Sequence, residues 1–541
     1  MNEDYCSIAG GLPGELTFLT LDEVFDHLDN HQCNFLLDPA VTSCYVNRIA
    51  QDEGFASNTK AQNYIRYLCK KYIQIDPFNI IGLEAFSSLH GCFPDKNLYA
   101  YLKQQYNKGY WHRKLQRLLQ NDSEQALDIF IRYLKNMPSN LIVADILLNL
   151  HLKEGMDPLP LKNLVQVPPE FHSAWLRRLF LTVASVKLVP EALEIWESLR
   201  GADPDEAILN RAAEIMALAG DRQQAIALYQ ASLAMDQRQH PVRRRLGELV
   251  SPTRPDTSLL GSSATNIYLY SFNKAALLDE TLDSLARCDL GPAKIKVLLN
   301  GCTDDSLAVT QSAKERFPDN PVDIVALPIN IGAPAARNWL IADPATRQAD
   351  QTVFLDDDVL LQPDFLHHFL TAARLRPKCG VVGCKVLFPG RFPRFQYLYR
   401  NIAVAKPGIL RISLDTPNTQ YDNGAYDFAR DTLNVMGCCH MFTRQALLDV
   451  PGFDLCFSPS QMDDIAHDLD LALLGYDVVY CGLVGCVHQQ ATGNIVSDAR
   501  KAIRVGNVLG NDVKFYYRFQ NRMDALYALG RDGDQAVSGQ A

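Results

Sequence analysis

Three consecutive carboxylates, Asp356, Asp357 and Asp358, are the residues of this sequence best placed to do chemistry. They directly follow Val353, Phe354 and Leu355, an apolar run typical of a strand buried on both faces. Unpaired carboxylates are costly to bury, so the strand is predicted to end at the rim of an α/β sheet, where such sheets bind ligands. There, Asp356 and Asp358 can converge on Mg²⁺ or Mn²⁺ that bridges to substrate phosphates. The alternative is that the aspartates cap the helix expected after Pro363.

The elements around this triplet alternate between short apolar runs and leucine-rich amphipathic segments. Strands are predicted at residues 266–270, 295–299, 322–327 and 352–355. A helix is predicted to start near Lys274, and a turn of small residues after Asn330 opens another helix. Such alternation predicts a largely parallel sheet with right-handed crossovers, that is, an α/β domain.

Four short motifs follow these elements in order along the chain. They are Ser271-Phe272-Asn273, Asn300-Gly301-Cys302-Thr303-Asp304, Gly332-x-x-x-Ala336-Arg337-Asn338 and Leu355-Asp356-x-Asp358. Each motif alone carries little information. In this order and at ordinary spacing, they resemble the GT-A domain of the inverting family-two glycosyltransferases, over roughly residues 266–488.

The resemblance extends to a second acidic motif. Asp463-Asp464 precedes a leucine-rich helix that ends at Gly475-Tyr476, and a strand at residues 478–480 follows. Relatives usually carry Glu-Asp at this acidic pair. The resemblance implies that Asp464 is the general base, with Asp463 as the next candidate, and that His488 completes a metal site.

The reaction implied by the resemblance is transfer of a sugar from a nucleoside diphosphate to an acceptor hydroxyl, with inversion at the anomeric carbon. Mn²⁺ or Mg²⁺, held by Asp356, Asp358 and His488, would neutralise the diphosphate. Arg337 would add positive charge near the diphosphate, and Asp357 would reach the ribose. The residues implied in donor binding are Ser271, Phe272, Asn273, Asn300, Asp304, Arg337 and Asp357.

The donor's base and the acceptor stay open at the level of sequence. A UDP-sugar is the first expectation, but uridine-using relatives often place an Asp at the end of the second strand. This chain has Leu299 followed by Asn300 at that position. The acceptor is a glycan, a protein or a small molecule.

The candidate site residues could instead have purely structural roles. Arg337 could form a structural ion pair, and His488 could be a buried histidine of the core. Asp463 and Asp464 could cap a helix, where the dipole favours acidic residues. That last role is compatible with catalysis.

The amino-terminal half repeats a five-residue pattern within a region of helical periodicity. The pattern Ala-apolar-x-apolar-aromatic starts at Ala126, Ala192 and Ala225, which are 66 and 33 residues apart. It resembles degenerate tetratricopeptide repeats with a period of about 34 residues, in which a copy near residue 159 is eroded. Such repeats commonly bind a peptide or partner protein. A helical scaffold or a homodimer contact is the equal alternative.

Composition defines the domains and excludes some functions. The 541 residues carry a net charge of −10, which argues against a nucleic-acid-binding protein. Without a signal-peptide pattern or an apolar run that could span a bilayer, the expected location is cytoplasmic, with or without peripheral contact to the inner membrane face.

The chain is predicted to divide into four regions. They are a helical domain (1–250), a linker rich in Ser, Pro and Thr (251–264), a GT-A domain (265–500), and a helical extension (501–541) with a tail disordered from Arg531.

The cysteines and a stretch of basic and aromatic residues are two further features of the sequence. The fourteen cysteines include no CxxC pair, and the adjacent Cys438 and Cys439 suit neither a routine disulfide nor zinc, so reduced buried thiols are expected. Residues 388–411 interleave aromatic and basic side chains. They are predicted to form a loop over the diphosphate or the acceptor rather than a nucleic-acid surface.

Two other functions compete with glycosyl transfer. A sugar-phosphate nucleotidyltransferase would be expected to carry a Gly-rich phosphate loop after the first strand, and Ser271-Phe272-Asn273-Lys274 is not one. A non-catalytic adaptor would carry a degenerate sugar-nucleotide domain beside the repeats. The retained Asp356, Asp358, Asp464 and His488 argue against such decay.

Overall fold

The chain forms two compact units in the computed structural model, which describes residues 11–107, 123–201, 203–412, 420–489 and 498–535. The first unit comprises Met1–Ser251 together with two later segments, Gly390–Pro393 and Thr419–Tyr426. The second comprises Pro252–Pro389, Arg394–Asn418 and Asp427–Ala541. Within the described residues, no helix combines the length and the apolar composition needed to cross a membrane.

The first unit is helical, as the periodicity predicts. Asn and Asp side chains at several helix starts accept hydrogen bonds from backbone N–H groups of the first turn, among them Asn58, Asn140 and Asp205. The α-helices are Gly11–Thr17, Leu21–Asn30, Pro39–Ala50, Thr59–Ile75, Ile80–His90, Lys96–Asn107, Ser123–Asn136, Leu141–Lys153, Pro160–Leu164, His172–Ser185, Val189–Leu199, Glu206–Leu218, Arg222–Met235 and His240–Val250.

The repeated five-residue pattern lies in the core of this unit. The three alanines and their paired aromatic residues are each at most 2% exposed; they are Ala126, Phe130, Ala192, Trp196, Ala225 and Tyr229. The helices Glu206–Leu218 and Arg222–Met235 pack against each other, and Gly220 turns the chain between them with φ +89°. Where the pattern is eroded, the helix Pro160–Leu164 has only five residues.

The second unit is built on a ten-stranded mixed sheet. The strands of this unit are β1 Thr265–Ser271, β2 Lys294–Asn300, β3 Val322–Leu327, β4 Gln351–Leu355, β5 Val359–Leu360, β6 Cys379–Leu387, β7 Phe395–Tyr397, β8 Ile402–Lys406, β9 Ile409–Ile412, β10 Ala429–Thr432, β11 Cys439–Thr443 and β12 Asp477–His488. The order in the large sheet is β10-β12-β6-β11-β4-β1-β2-β3, in which β5 pairs with β12 and β7 with β6, whereas β8 and β9 form a separate two-stranded sheet. The predicted strands are confirmed as β1 to β4, which pair in parallel.

Side chains of the central strands enter two apolar cores, one on each face of the sheet. Val353 and Leu355 of β4 join one core, whereas Phe354 between them joins the other, because successive side chains of a strand point to opposite faces. All three are fully buried. A strand that is covered on both faces explains why the apolar run is continuous rather than alternating.

The helices of this unit cover the sheet. Leu260, within the stretch predicted as a linker, is buried in one of the two cores. The helices are Ser258–Ser262, Ala275–Ala286, Ser306–Ala313, Ala333–Ile341, Pro344–Gln348, Phe365–Arg374, Arg444–Asp449, Asp463–Leu473, Asp498–Phe519 and Met523–Gln535.

Three expectations from the sequence are corrected by this fold. The aspartate triplet does not cap a helix, because β5 follows it and the next helix starts at Phe365 with Asp364 at its N-cap. The tail predicted to be disordered from Arg531 is still helical to Gln535, and residues 536–541 lie outside the described part.

The third correction concerns the basic and aromatic stretch at residues 388–411, which was predicted to form a loop. It contains β7, β8 and β9 rather than a single loop. Arg411 on β9 is buried and donates to Asp512 at 2.9 Å, and the guanidinium of Arg400 lies 4.2 Å from the ring centre of Tyr397. These cations are therefore engaged within the protein, because a buried guanidinium requires a partner.

Candidate active site

The carboxyl ends of β1 and β4 bring the aspartate triplet beside the first motif. The two strands are parallel and in register, with Leu269 opposite Leu355, so the residues that follow them meet at one edge of the sheet. Ser271 Oγ donates to Asp357 Oδ2 at 2.7 Å. Lys274 Nζ contacts both neighbouring carboxylates, at 2.9 Å from Asp357 Oδ1 and 2.8 Å from Asp358 Oδ2.

Asp356, Asp358 and His488 come together as predicted, with one potential ligand atom from each lying within 4.8 Å of the others. His488 is the last residue of β12, and the antiparallel pairing of β12 with β5 places it opposite Val359. Its Nε2 atom lies 2.9 Å from Asp358 Oδ1. Its Nδ1 atom lies 3.1 Å from Gln396 Oε1.

These three residues fit a hard divalent cation. Asp358 Oδ1 is buried without a hydrogen-bond partner among the described residues, and His488 Nε2 lies 2.9 Å from it. Ligands at right angles and ~2.1 Å from an ion are ~3 Å apart, close to the separation of these two atoms. A proton on Nδ1, donated to Gln396, leaves Nε2 free to bind the ion.

Charged neighbours keep the Asp358 carboxyl ionised. Burial, the largest influence, would raise its pKa, but the contacts with His488 and Lys274 outweigh burial and lower the pKa to about 2. Burial raises the pKa of the neighbouring Asp357, although Lys274 and Ser271 oppose it. Burial alone would lower the pKa of His488, but Asp358 and Asp356 raise it. A carboxylate at neutral pH is the form that binds metal.

Arg337 joins this carboxylate edge to the second acidic motif. Its Nη1 donates to Asp463 Oδ2 at 2.6 Å, and its Nη2 donates to the carbonyl oxygen of Gly437 at 3.2 Å. Nη2 also lies 3.6 Å from Asp356 Oδ1, and the Tyr270 ring is 5.1 Å from the guanidinium carbon. Arg337 is buried. It therefore holds the structural ion pair that the sequence left as an alternative, while lying beside the triplet.

The two carboxylates of the acidic pair have different surroundings. Asp463 is 2% exposed and ion-paired with Arg337, whereas Asp464 is partly exposed and accepts from the Gly437 N–H at 2.9 Å. Burial and the Asp463 charge raise the pKa of Asp464 to about 6, although Arg337 opposes them. A carboxylate with a pKa near neutrality is suited to accept a proton.

The turn before the acidic pair has an unusual backbone. Gln461 and Met462 have φ of +78° and +69°, in the left-handed region that non-glycine residues rarely adopt. Asn511 Nδ2 donates to the Ser460 carbonyl oxygen at 3.1 Å and so helps to hold this turn. Such backbone conformations persist only when the surroundings fix them, and they are concentrated at functional sites.

The other residues predicted to bind the donor lie at the end of β2 and in the loops that follow β1 and β2. Asn273 Oδ1 accepts from Thr303 N–H at 2.8 Å, and Asp304 Oδ2 accepts from Ala275 N–H at 2.9 Å. Asn300 Oδ1 accepts from Ile331 N–H at 2.9 Å. These side chains connect neighbouring segments. Within the described part of the chain, the one hydrogen bond between two members of the donor set joins Ser271 and Asp357.

Phe272, the remaining member of the donor set, has a different environment from these amides and carboxylates. Its side chain is 44% exposed. An exposed ring beside the carboxylate edge offers a flat apolar surface.

Three residues of the site were missed by the sequence analysis. Lys274 contacts two of the three aspartates, and its position directly after Ser271-Phe272-Asn273 was a usable signal. Tyr270 donates its hydroxyl to Asp356 Oδ1 at 2.6 Å. Gln396, the partner of His488, lies 92 residues away in the chain, and no sequence pattern marks it.

The thiol cluster Cys384, Cys439 and Cys486 was also missed. The three sulfur atoms lie within 4.8 Å of one another, and all three residues are buried in an apolar core. They come from β6, β11 and β12, so their proximity depends on strand order rather than on sequence spacing.

Comparison with protein families decides the domain type. Residues 266–506 match the family model described as Glycosyltransferase like family 2. These residues form a glycosyltransferase family 2-like domain. The matched range includes the aspartate triplet, the acidic pair and His488.

A curated protein and several solved structures are similar to parts of the chain. The O-antigen biosynthesis protein RfbC of Myxococcus xanthus is 27% identical over 162 residues, which are 29% of this chain but only 12% of that protein. The mannosyltransferase PcManGT from Pyrobaculum calidifontis, in complex with GDP-Man and Mn²⁺, is 20% identical, with a TM-score of 0.36. The match covers 61% of this chain and 85% of that one. S. aureus TarS is 15% identical, with a TM-score of 0.30, over 42% and 36% of the two chains.

Replacing Lys274 tests the balance of charge in the glycosyltransferase domain. Lys274→Met leaves Asp357 and Asp358 without their shared cation, so we expect the metal-free protein to lose about 1–3 kcal/mol of stability, a range reduced because Lys274 is 37% exposed. Mn²⁺ should restore more stability to the variant than to wild type, since it would replace the lost charge. Thermal unfolding in EDTA and in MnCl₂ measures both effects. Equal Mn²⁺ responses would contradict this account.

Proposed function

We propose that the second unit is a metal-dependent, inverting glycosyltransferase that moves a sugar from a nucleoside-diphosphate donor to an acceptor hydroxyl. The observation that carries the proposal is the convergence of Asp356, Asp358 and His488 within 4.8 Å, at the carboxyl edge of the sheet. Arg337 links this group to Asp463, beside Asp464. A metal site and a base at one edge are what this reaction requires.

In this proposal Asp356, Asp358 and His488 hold Mn²⁺ or Mg²⁺. When bound, the ion supplies Lewis-acid charge that stabilises the departing nucleoside diphosphate. Lys274 adds a fixed cation at the same edge, where it neutralises Asp357. Gln396 orients the His488 ring, so that Nε2 faces Asp358.

Asp464 acts as the base. Its carboxylate takes the proton from the acceptor hydroxyl as that oxygen attacks the anomeric carbon from the face opposite the leaving group. Asp463 is a positioning residue, because its carboxylate is buried against Arg337. Arg337 also keeps positive charge close to Asp464, which opposes the rise of its pKa.

The donor is proposed to lie along the carboxyl ends of β1 and β2. Asp357, held by Ser271 and Lys274, is the candidate contact to the ribose. Phe272, Asn273, Asn300 and Asp304 belong to the loops beside it. A UDP-sugar stays the first expectation, and Asn300 is the position that would distinguish other bases.

The helical unit is proposed to consist of degenerate tetratricopeptide-like helix pairs. Their buried alanines and aromatic residues support this reading. Such a unit would recruit or orient the acceptor or a partner protein, or would form a homodimer contact. The acceptor is a glycan, a protein or a small molecule, and the proposed location is cytoplasmic, with or without peripheral contact to the inner membrane face.

A thermal-shift screen of the full chain tests the proposal. Nucleoside diphosphates and nucleotide sugars would be added with and without Mn²⁺, because a ligand that binds only the folded state raises its apparent stability. We expect one nucleoside diphosphate to raise the unfolding temperature only when the metal is present, which also identifies the base. Flat responses across the panel would contradict the catalytic proposal and favour an adaptor.

A further inference from the structure

The helical unit contains a cavity of about 360 Å³. All of its lining residues belong to this first unit, and they include apolar side chains such as Phe35, Leu152 and Leu181 together with charged and amide groups. Cavities of this volume and mixed lining are typical of small-molecule sites.

Most of the cations that line the cavity are neutralised by the protein. Lys71 Nζ lies 2.6 Å from Asp236 Oδ2 and 3.3 Å from Glu206 Oε1. Arg178 is paired with Asp145 and also donates to amide and hydroxyl oxygens. These side chains need no further anion.

Arg211 differs from them. In the described part of the chain, its guanidinium makes one hydrogen bond, from Nε to Ser185 Oγ at 3.0 Å, and no ion pair. Glu214, an acid whose charge acts on Arg211, is itself ion-paired with Arg245 at 2.8 Å and also accepts from Tyr229. The two terminal nitrogens of Arg211 therefore have no anionic partner among these residues.

This arrangement costs free energy. An arginine stays protonated in proteins, so it cannot escape the cost of partial burial by losing its charge. Arg211 is partly buried, and a partly desolvated cation without a counter-charge is destabilising. An anion that enters the cavity would recover this cost and could accept two parallel hydrogen bonds from the planar guanidinium.

We propose that this cavity binds a small molecule whose carboxylate or phosphate group pairs with Arg211. The cavity also contains hydrogen-bond acceptors. The Oδ1 atom of Asn210 is buried without a hydrogen-bond partner among the described residues, and Asp76 also lines the cavity. These acceptors would receive hydrogen bonds from a hydroxyl or amine of the same ligand. The ligand class is thus an anionic molecule that also carries hydrogen-bond donors. This site is independent of the proposed transferase reaction.

The test uses the full chain and two probe anions, inorganic phosphate and malonate, at constant ionic strength set with NaCl and in the presence of EDTA. Wild type would be compared with Arg211→Met and with Arg132→Met. Arg132 is the matched control because it lies on the same unit with a side chain that is 79% exposed. Thermal unfolding and calorimetric titration give the shift and the dissociation constant.

We expect one of the two anions to raise the unfolding temperature saturably in wild type and in Arg132→Met. The rise should disappear in Arg211→Met, with binding weakened at least about tenfold. Without anion, Arg211→Met should unfold at the same temperature as wild type or higher, because the substitution removes a partly buried cation that has no counter-charge. Arg211→Lys, which keeps the charge but not the fork, should show an intermediate loss. The anion that gives the saturable response shows whether the anionic group of the ligand is a phosphate or a carboxylate.

Several outcomes would overturn the proposal. A shift that persists in Arg211→Met places the anion elsewhere. If Arg211→Met unfolds at a lower temperature than wild type without anion, or fails to fold, Arg211 stabilises the fold and is not a ligand-binding residue. The absence of a saturable response to either anion in wild type removes the binding site.

Discussion

Replacement of Asp358 by asparagine is expected to abolish the response to Mn²⁺ and to lower sugar transfer by ~10²–10³-fold, which corresponds to about 3–4 kcal/mol of transition-state stabilisation. The amide has nearly the same shape as the carboxylate, so packing in this buried position is preserved. What changes is the negative charge, which a divalent cation requires from its ligands.

The surroundings of Asp358 make this effect specific. Its Oδ1 atom has no hydrogen-bond partner among the described residues, while Oδ2 contacts Lys274 at 2.8 Å. Because His488 and Lys274 outweigh burial and lower its pKa to about 2, the wild-type carboxyl is charged at any pH used for an assay. The loss in the variant therefore reports removal of a ligand charge rather than a change in protonation.

Asp323→Asn is the matched control, because it makes the same chemical change on β3 at a side chain that is 75% exposed. Transfer rates and thermal shifts with and without MnCl₂ would be measured for both variants. The control should behave as wild type. If Asp358→Asn keeps either its activity or its Mn²⁺-dependent shift, Asp358 is not a metal ligand.

Replacement of Asp464 by asparagine is expected to lower kcat by ~10²–10⁴-fold, the usual contribution of a general base. Donor binding should be unchanged, because Asp464 lies in the acidic pair and not among the candidate metal ligands. Titration with the nucleotide found in the thermal-shift screen would give the donor affinity, and initial rates would give kcat. Equal losses in donor affinity and kcat would contradict a role confined to proton transfer.

The pH dependence gives a second signature of the same residue. Burial and the neighbouring Asp463 raise the pKa of Asp464 to about 6, and a base acts only when deprotonated. The wild-type kcat should therefore fall about tenfold per pH unit below pH 6 and level off above it. The residual activity of Asp464→Asn should lack this inflection. An unchanged inflection in the variant would assign it to another group.

Asp463→Asn distinguishes catalysis from support. This substitution removes the carboxylate partner of the buried Arg337, and breaking a buried ion pair costs about 3–5 kcal/mol. We expect a lower unfolding temperature in this variant, whereas Asp464→Asn should unfold close to wild type because its side chain is partly exposed. The opposite pattern would exchange the roles of the two aspartates.

The site was predictable where one short segment carried the whole signal. Val353, Phe354 and Leu355 form a continuous apolar run and lie in β4, a strand buried on both faces. The acids after it could not be buried unpaired, which predicted a polar edge of the sheet. The alternative, an N-cap, was wrong because two residues of strand follow the triplet, a length too short to be recognised from hydrophobicity alone.

Other features of the site depend on contacts between residues that are distant in the chain, so the sequence did not reveal them. Arg337 is an example, because the sequence could not decide between a diphosphate contact and an ion pair. The structure pairs it with Asp463, which is 126 residues away. Lys274 and Gln396 were missed for a similar reason, since their roles depend on which loops and strands are neighbours.

The sequence by itself determined the local elements: the helical first half, the strands β1 to β4, and the acidic residues at their ends. Periodicity and the cost of burying charge are local properties that a single segment reveals. Only the tertiary structure decided which side chains meet. His488 reaches Asp358 because β12 pairs with β5, and Arg211 has one protein partner among the described residues because its helix faces a cavity. Both depend on strand order and helix packing, which are set by the whole core and not by any one segment.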